Sequence, residues 1–177
     1  MSKTVEEHRA SAPRKLTFAV LTVSTSRMQQ LANGGPVNDQ SGDIAKKLLE
    51  EAGHKVNFRR IIADDKSSIA SAVNTLVAAE DTDVIITCGG TGITKSDVTI
   101  ETIEPMFTKT LPGFGELMRK ISYETIGSAA MLTRAIAGTI RDKVIFCIPG
   151  SSQAVETALR KLIIPEIGHI VKHVREN

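Results

Sequence analysis

The spacing of apolar positions changes several times along the chain. LTFAVLTV, residues 16–23, is a short apolar run of strand-forming side chains and reads as a buried strand. At Ser24 the character changes. STSRMQQLANGGPVNDQSG is polar and predicts a long loop, and long loops in compact domains are often functional. In DIAKKLLEEAG, Ile44, Ala45, Leu48, Leu49 and Ala52 share one helical face, and Gly53 is placed to end that helix. KVNFRRII alternates in part, with Val56 and Phe58 on one side, as a strand does. ADDKSS breaks the chain, and Ile69, Val73, Leu76 and Val77 then recur at helical spacing. DVIITC is apolar on both faces, which suits a central parallel strand covered by helices. Further on, TIETIE and GFGELMRKIS read as helical, the latter with Phe114, Leu117, Met118 and Ile121 on one face, and SAAMLTRA as a short helix. IAGTI and VIFCI are two strands joined by the turn RDK. PGSS opens a helix over QAVETALRKLI, and EIGHIVKHV is a last helix.

Strand and helix alternate, which predicts an α/β fold with a doubly wound, mostly parallel sheet in a single domain. No internal repeat or linker divides it. Residues 1–15 are polar, lack an apolar signal-peptide core and read as a loose, flexible tail, leaving 16–177 as the folded unit. Ligands of such sheets lie beyond the carboxyl ends of the strands. The loops that begin at Ser24, Asp64, Gly89 and Gly150 all follow strands, so they are expected to meet at one sheet edge.

Composition narrows the function classes. Aromatic residues are only 3%, so the core must be aliphatic and a base-stacking surface has too few rings. A net charge of +2 gives no reason to expect nucleic acid or a membrane surface as partner. No apolar run reaches the ~18 residues of a membrane-spanning helix. Cys88 and Cys147 each close an apolar run and fit neither a metal-ligand spacing nor a disulfide framework, so they read as buried thiols of a cytoplasmic protein.

IITCGGTGITKSDVT, residues 85–99, carries the candidate chemistry. Gly89, Gly90 and Gly92 let a turn present its N–H groups as an anion-binding nest, and Thr91 and Thr94 add hydroxyls. Phosphate is the natural guest; a tight strand-to-helix turn with no ligand is the plainer alternative. The P-loop pattern fails because Thr94, not Gly, precedes Lys95-Ser96, and the dinucleotide fingerprint fails because Lys95 stands where its last Gly belongs. A phosphatase loop on Cys88 or Cys147 lacks its arginine.

TCGGTG followed by SDVT, then LPGFGELMR, then IPGSS before a helix, resembles the MogA/MoaB family of molybdenum cofactor biosynthesis, closest to its MoaB branch. The resemblance runs from about Leu16 to the C-terminus. It implies a three-layer α/β domain, molybdopterin binding and, in active members, adenylylation of molybdopterin by MgATP with release of pyrophosphate. It also implies a homo-trimer, in some members paired into a hexamer. The resemblance makes Gly89, Gly90, Thr91 and Gly92 the loop for nucleotide and pterin phosphates, and Asp97 an acid that active members need. It makes Asp64 a second acid, a candidate for holding Mg²⁺, and Ser24 a nucleotide contact. Thr94 adds a hydroxyl to the first loop, Gly150 and Ser151 form a second glycine turn, and Glu116 lies in a motif near the site. The chain departs from active relatives at Thr25, where Asp is frequent, and at Ser152, where Pro is frequent. Both departures leave open a non-catalytic molybdopterin-binding or scaffold protein of the same fold.

Local sequence also offers plain structural roles. Asp97 can cap the helix VTIETIE, and Asp64 can be a turn residue before SSI. His169 and His173 lie four apart on the last helix, a spacing that permits a metal pair, although no third ligand is evident and a solvated helix end is the plainer reading. Met106, Met118 and Met131 read as core or subunit contacts, and Arg27 and Lys95 as candidate phosphate partners.

Overall fold

The computed structural model describes residues 12–176. Most of the predicted tail, 1–11, lies outside the described residues. At 12–15 the chain is irregular, and the Pro13 carbonyl sits against Gly168 of the last helix.

Six strands form one sheet in the order β2-β1-β3-β6-β5-β4. These are β1 (Thr17–Val23), β2 (Lys55–Ile62), β3 (Val84–Cys88), β4 (Lys109–Thr110), β5 (Ile136–Ile140) and β6 (Lys143–Ile148). β1 pairs in parallel with β2 and β3, and β3 in parallel with β6. β5 is antiparallel to both β6 and β4. The chain leaves β1 toward β2 and returns to place β3 on the other side of β1. The topological switch therefore falls between β1 and β3, where doubly wound sheets bind ligands.

The helices are α1 (Thr25–Ala32), α2 (Gln40–Glu51), α3 (Lys66–Ala78), α4 (Thr99–Ile103), α5 (Pro112–Ile126), α6 (Ser152–Ala158) and α7 (Ile164–Arg175). Strand alternation divides the core into two layers. Phe18, Val20, Val84, Ile86, Val144, Phe146 and Ile148 pack with Leu48 and Leu49 of α2, Met118 of α5 and Val171 of α7. Ala19, Leu21, Ile85 and Ile145 face the other way, onto Ile69, Val73 and Leu76 of α3 and Ile103 of α4. All five side chains of β3 are buried, as a strand covered on both faces requires.

Several expectations shift in detail. The loop from Ser24 is not wholly irregular: its first part is α1, a helix that buries none of its residues, which is why no apolar periodicity revealed it. α2 begins at Gln40, earlier than its apolar face suggests, because Asp39 caps it by accepting from the Gly42 amide at 3.2 Å. Ala52 is exposed, just past the last helical turn. On α5, Phe114 and Met118 are buried but Leu117 is half exposed. SAAMLTRA contributes to a 3-10 segment, Gly127–Leu132, and β4 is an edge strand too short to carry a sequence pattern. The helix over QAVETALRKLI passes through a π-helical segment, Leu159–Ile163, directly into α7. Of the methionines, Met118 is core, Met106 packs against the α3 layer and Met131 is 76% exposed.

Asp39 and Arg59 explain how the long β1–α2 connection is held. Asp39, only 5% exposed, accepts from the Thr22 hydroxyl at 2.9 Å and from Arg59 at 2.6 Å. Arg59 also reaches Asp43 at 2.6 Å. A buried carboxylate is tolerated there because a guanidinium, a hydroxyl and a helix amide satisfy it together.

Candidate functional site

The exits of β1, β2, β3 and β6 meet at the carboxyl edge of the sheet. Gly89 has φ of +110° and donates its amide to the Ile148 carbonyl at 3.0 Å. A Cβ at Gly89 would overlap the Val23 carbonyl, so only glycine lets the exits of β1 and β3 approach this closely. Gly150, after β6, packs against Gly89: a Cβ there would lie 3.1 Å from the Gly89 Cα.

Asp64 comes to this loop from the far side of β1. Its amide donates to the Thr25 hydroxyl at 3.0 Å, and its carboxylate accepts from the Val98 amide at 3.2 Å. Both carboxylate oxygens lie 2.7 Å from where a Gly90 Cβ would stand. Asp97 closes the other end of the loop. Its Oδ2 accepts from the Thr94 amide at 2.9 Å and the Thr94 hydroxyl at 2.6 Å. That oxygen lies 2.6 Å from a Cβ built on Gly92. The two acids therefore flank the glycine loop, and their electrostatics differ. Partial burial raises the Asp64 pKa; the Val98 amide opposes this, and Asp97, Asp65 and Glu101 add repulsion. The Thr94 hydroxyl holds the Asp97 pKa below the usual aspartate value, helped by the Thr94 and Gly92 amides and Arg134 against some desolvation.

The plain structural roles divide: Asp64 does stand in the bend just before α3, as the turn reading has it, while Asp97 is not a helix cap. The cap of α3 is Asp65, which accepts from the Ser68 amide at 2.8 Å, so Asp64 is not the capping residue. The cap position of α4 is Val98, with no side-chain cap, so Asp97 instead braces the loop before it.

A cavity of about 490 Å³ opens beside the loop. Gly89 to Gly92, Asp97, Gly150 and Ser151 line one side, and Met118, Ile121, Ser122 and Thr125 of α5 another. The lining is mixed, with apolar walls and scattered hydroxyls, as in small-molecule pockets generally.

Other expected residues are placed differently. Ser24 caps α1, accepting from the Arg27 amide at 3.4 Å, and Thr94 is occupied with Asp97; neither lines the cavity. The Ser151 hydroxyl accepts from the Ala154 amide at 3.3 Å and remains on the cavity wall. Glu116 is not brought to this cavity: α5 turns it into a separate cleft of about 220 Å³ beside Arg119 and Phe107. The nest is also smaller than the glycine count implies. The Gly89 amide donates to the Ile148 carbonyl and the Thr94 amide to Asp97, so two amides of the loop already have protein partners. Lys95 is exposed on the loop and Arg27 is half-buried in α1.

Sequence reasoning noted Thr25 only as a departure from active relatives, and passed over Thr99 and the polar face of α5. Thr99 is fully buried and its hydroxyl bonds the Gly89 carbonyl at 3.0 Å, tying α4 to the loop. Ser122 and Thr125 follow Met118 and Ile121 at i+4, so the extension of α5's apolar stripe into hydroxyls was a signal available in the sequence. The cysteine reading stands: Cys88 and Cys147 are free and buried, and burial pushes each thiol up to about 12, which leaves them unreactive. No helix among the described residues is long and apolar enough to cross a membrane.

This geometry defines an α/β protein with a cavity beyond the carboxyl ends of β3 and β6 and paired acids beside a glycine loop. Residues 19–169 match the family model MoCF_biosynth, "Probable molybdopterin binding domain", and the chain belongs to that family, on its MoaB side. Molybdenum cofactor biosynthesis protein B of Bacillus cereus is 51% identical over 167 residues, covering 94% of this chain and 95% of the relative. A crystal structure of a molybdenum cofactor biosynthesis protein B superposes with a TM-score of 0.86 at 48% identity, over 94% of this chain and 100% of that one. A tungsten cofactor synthesizing protein MoaB from Pyrococcus furiosus gives a TM-score of 0.82 at 41% identity, over 93% and 100%.

Proposed function

We propose that this protein acts in molybdenum cofactor biosynthesis, binding molybdopterin in the cavity beside the glycine loop and adenylylating it with MgATP. The observation that carries this reading is the loop Gly89–Gly92 lining a cavity with a mixed wall, with Asp97 on that wall and Asp64 packed behind Gly90. In the reaction a phosphate oxygen of molybdopterin attacks the α-phosphorus of ATP, the bond to the β-phosphate breaks, and pyrophosphate leaves. The nucleophile is already anionic, so no strong base is needed, and catalysis rests on positioning and charge neutralisation. The amides of Gly90 and Thr91 are the donors we assign to phosphate oxygen, while Asp97 holds the loop in shape through Thr94.

Asp64 fits Mg²⁺. It is an oxygen donor whose repulsion with neighbouring acids a cation would relieve. Such an ion takes one or two carboxylates and completes its shell with phosphate and water. Bound Mg²⁺ would supply neutralisation of phosphate charge. Exposed Tyr123 and Met131, which line one shallow cleft beside α5, offer a face for self-association, and a homo-trimer is the assembly we propose.

A second reading is a binder without turnover. The engagement of the Gly89 amide and the Thr94 hydroxyl favours it, because fewer donors remain for nucleotide phosphates. Pyrophosphate release from MgATP and molybdopterin separates the two readings. Release that Asp64→Asn and Asp97→Ala abolish, with molybdopterin still bound, supports the transferase. Tight pterin binding without pyrophosphate supports the binder, and absence of pterin binding refutes both.

A further inference from the structure

Arg134 lies in the connection between the 3-10 segment and β5, one residue after Thr133. Thr133 lines two cavities, the one beside the glycine loop and a second cleft of about 520 Å³, so the two adjoin there. Arg134 and Glu101 of α4 both line the second cleft and form an ion pair through one guanidinium nitrogen. Arg119 and Met131 are shared with the cleft of the self-association face, whereas Arg134 and Glu101 are not. The first cavity feels this pair. Asp97, on its wall, is held low by the Thr94 hydroxyl and, more weakly, by the charge of Arg134. Glu101 is held low by Arg134 first and is attracted also by Lys66, exposed at the start of α3.

The Arg134–Glu101 pair is open to exchange. Its side chains are 31% and 42% exposed, and ion pairs that meet water contribute little net stability. Glu101 engages one guanidinium nitrogen. A phosphate carries more charge and meets a guanidinium through two parallel hydrogen bonds, so it competes well for Arg134. Glu101 is not stranded by the exchange, because it faces water and keeps the attraction of Lys66. A run of linked phosphates is the ligand that reaches from the glycine loop past Thr133 to Arg134.

We propose that Arg134 is a contact for the terminal phosphates of a nucleotide, and that Glu101 is the latch it leaves when they arrive. The identity of the ligand as a nucleotide rests on the adenylylation reading; the affinity of Arg134 for linked phosphates does not.

Full-length protein is titrated by calorimetry with inorganic pyrophosphate, in EDTA and at fixed ionic strength. The wild type should bind, and Arg134→Gln should bind about tenfold or more weakly. Arg134→Lys, which keeps the charge and loses the planar fork, should fall between them. Glu101→Gln should tighten binding about two- to fivefold by freeing Arg134. Glu104→Gln makes the same charge change in the same cleft, at a carboxylate not bonded to Arg134, and should tighten it less. Far-UV circular dichroism checks the fold of each variant. No pyrophosphate binding by the wild type overturns the proposal. So does unchanged affinity in a folded Arg134→Gln, or equal tightening by Glu101→Gln and Glu104→Gln. Turnover by the wild type with an unmoved Arg134→Gln affinity sinks the latch and leaves the adenylylation reading standing; Arg134-dependent pyrophosphate binding without turnover does the reverse.

Discussion

Gly90→Ala tests whether the glycine loop and Asp64 are one mechanical unit. Gly90 has φ of +63°, so alanine would sit in the left-handed region at a cost of about 1 kcal/mol. The new methyl would also overlap the Thr99 hydroxyl and stand 2.7 Å from both Asp64 carboxylate oxygens. These are side-chain ends, so they can rotate away, but doing so breaks the Thr99 bond to the Gly89 carbonyl and the Asp64 bond to the Val98 amide. At about 1 kcal/mol for each hydrogen bond, the total is about 3 kcal/mol. Gly34→Ala provides the subtraction. Gly34 has a similar φ of +71°, and nothing lies within 4 Å of its built Cβ, so this variant measures the backbone cost alone. The difference between the two variants should be about 2 kcal/mol, or roughly 4–8 °C in melting temperature for a chain of this size. The chain has no Trp and one Tyr, so urea unfolding is best followed by far-UV circular dichroism. Gly90→Ala should also lose nucleotide-dependent turnover by displacing Asp64. Equal destabilisation by both variants, within about 0.5 kcal/mol, would refute the packing of Asp64 against the loop.

Three further predictions concern the supports of the site. Asp97→Asn removes a like charge near Asp64, so Asp64 should titrate closer to the ordinary aspartate value, readable in its carboxyl ¹³C shift; an unmoved titration would place the two acids out of range of each other. The signs of their stability terms are opposite. Asp97, with its pKa lowered on folding, stabilises above the ordinary aspartate pKa, and that contribution is lost as pH falls through its folded value. Asp64, with its pKa raised, costs stability as pH rises from the ordinary value through its folded one. Asp39→Ala removes the α2 cap and the buried acceptor of Thr22 and Arg59, and should destabilise by about 3 kcal/mol in urea unfolding, while the isosteric Asp39→Asn should cost less. Thr25→Val removes the acceptor of the Asp64 amide and should lower Mg²⁺-dependent turnover with pterin affinity unchanged, while Thr25→Ser should restore it; equal loss in both variants would point to shape rather than the hydroxyl.

Much of this architecture was legible before any coordinates. β1, β2, β3, β5 and β6 announce themselves because buried strands need continuous or alternating apolar side chains, and α2 and α3 because one face of each must cover the sheet. The glycines after Cys88 and the acids at 64 and 97 could be singled out because few other residue types serve a turn that bares its backbone or a site that needs a carboxylate. What the chain order could not convey is which groups are already satisfied. Gly89 donates to Ile148 and Thr94 to Asp97, partners chosen by how loops pack and not by any local pattern. α1 escaped notice because it buries nothing, and Glu116 was drawn to the site by its motif but turned away by the facing of α5. Sequence periodicity records what each element must hide from water. Only the folded chain decides which polar atoms, distant in sequence, find one another and which stay open to a ligand.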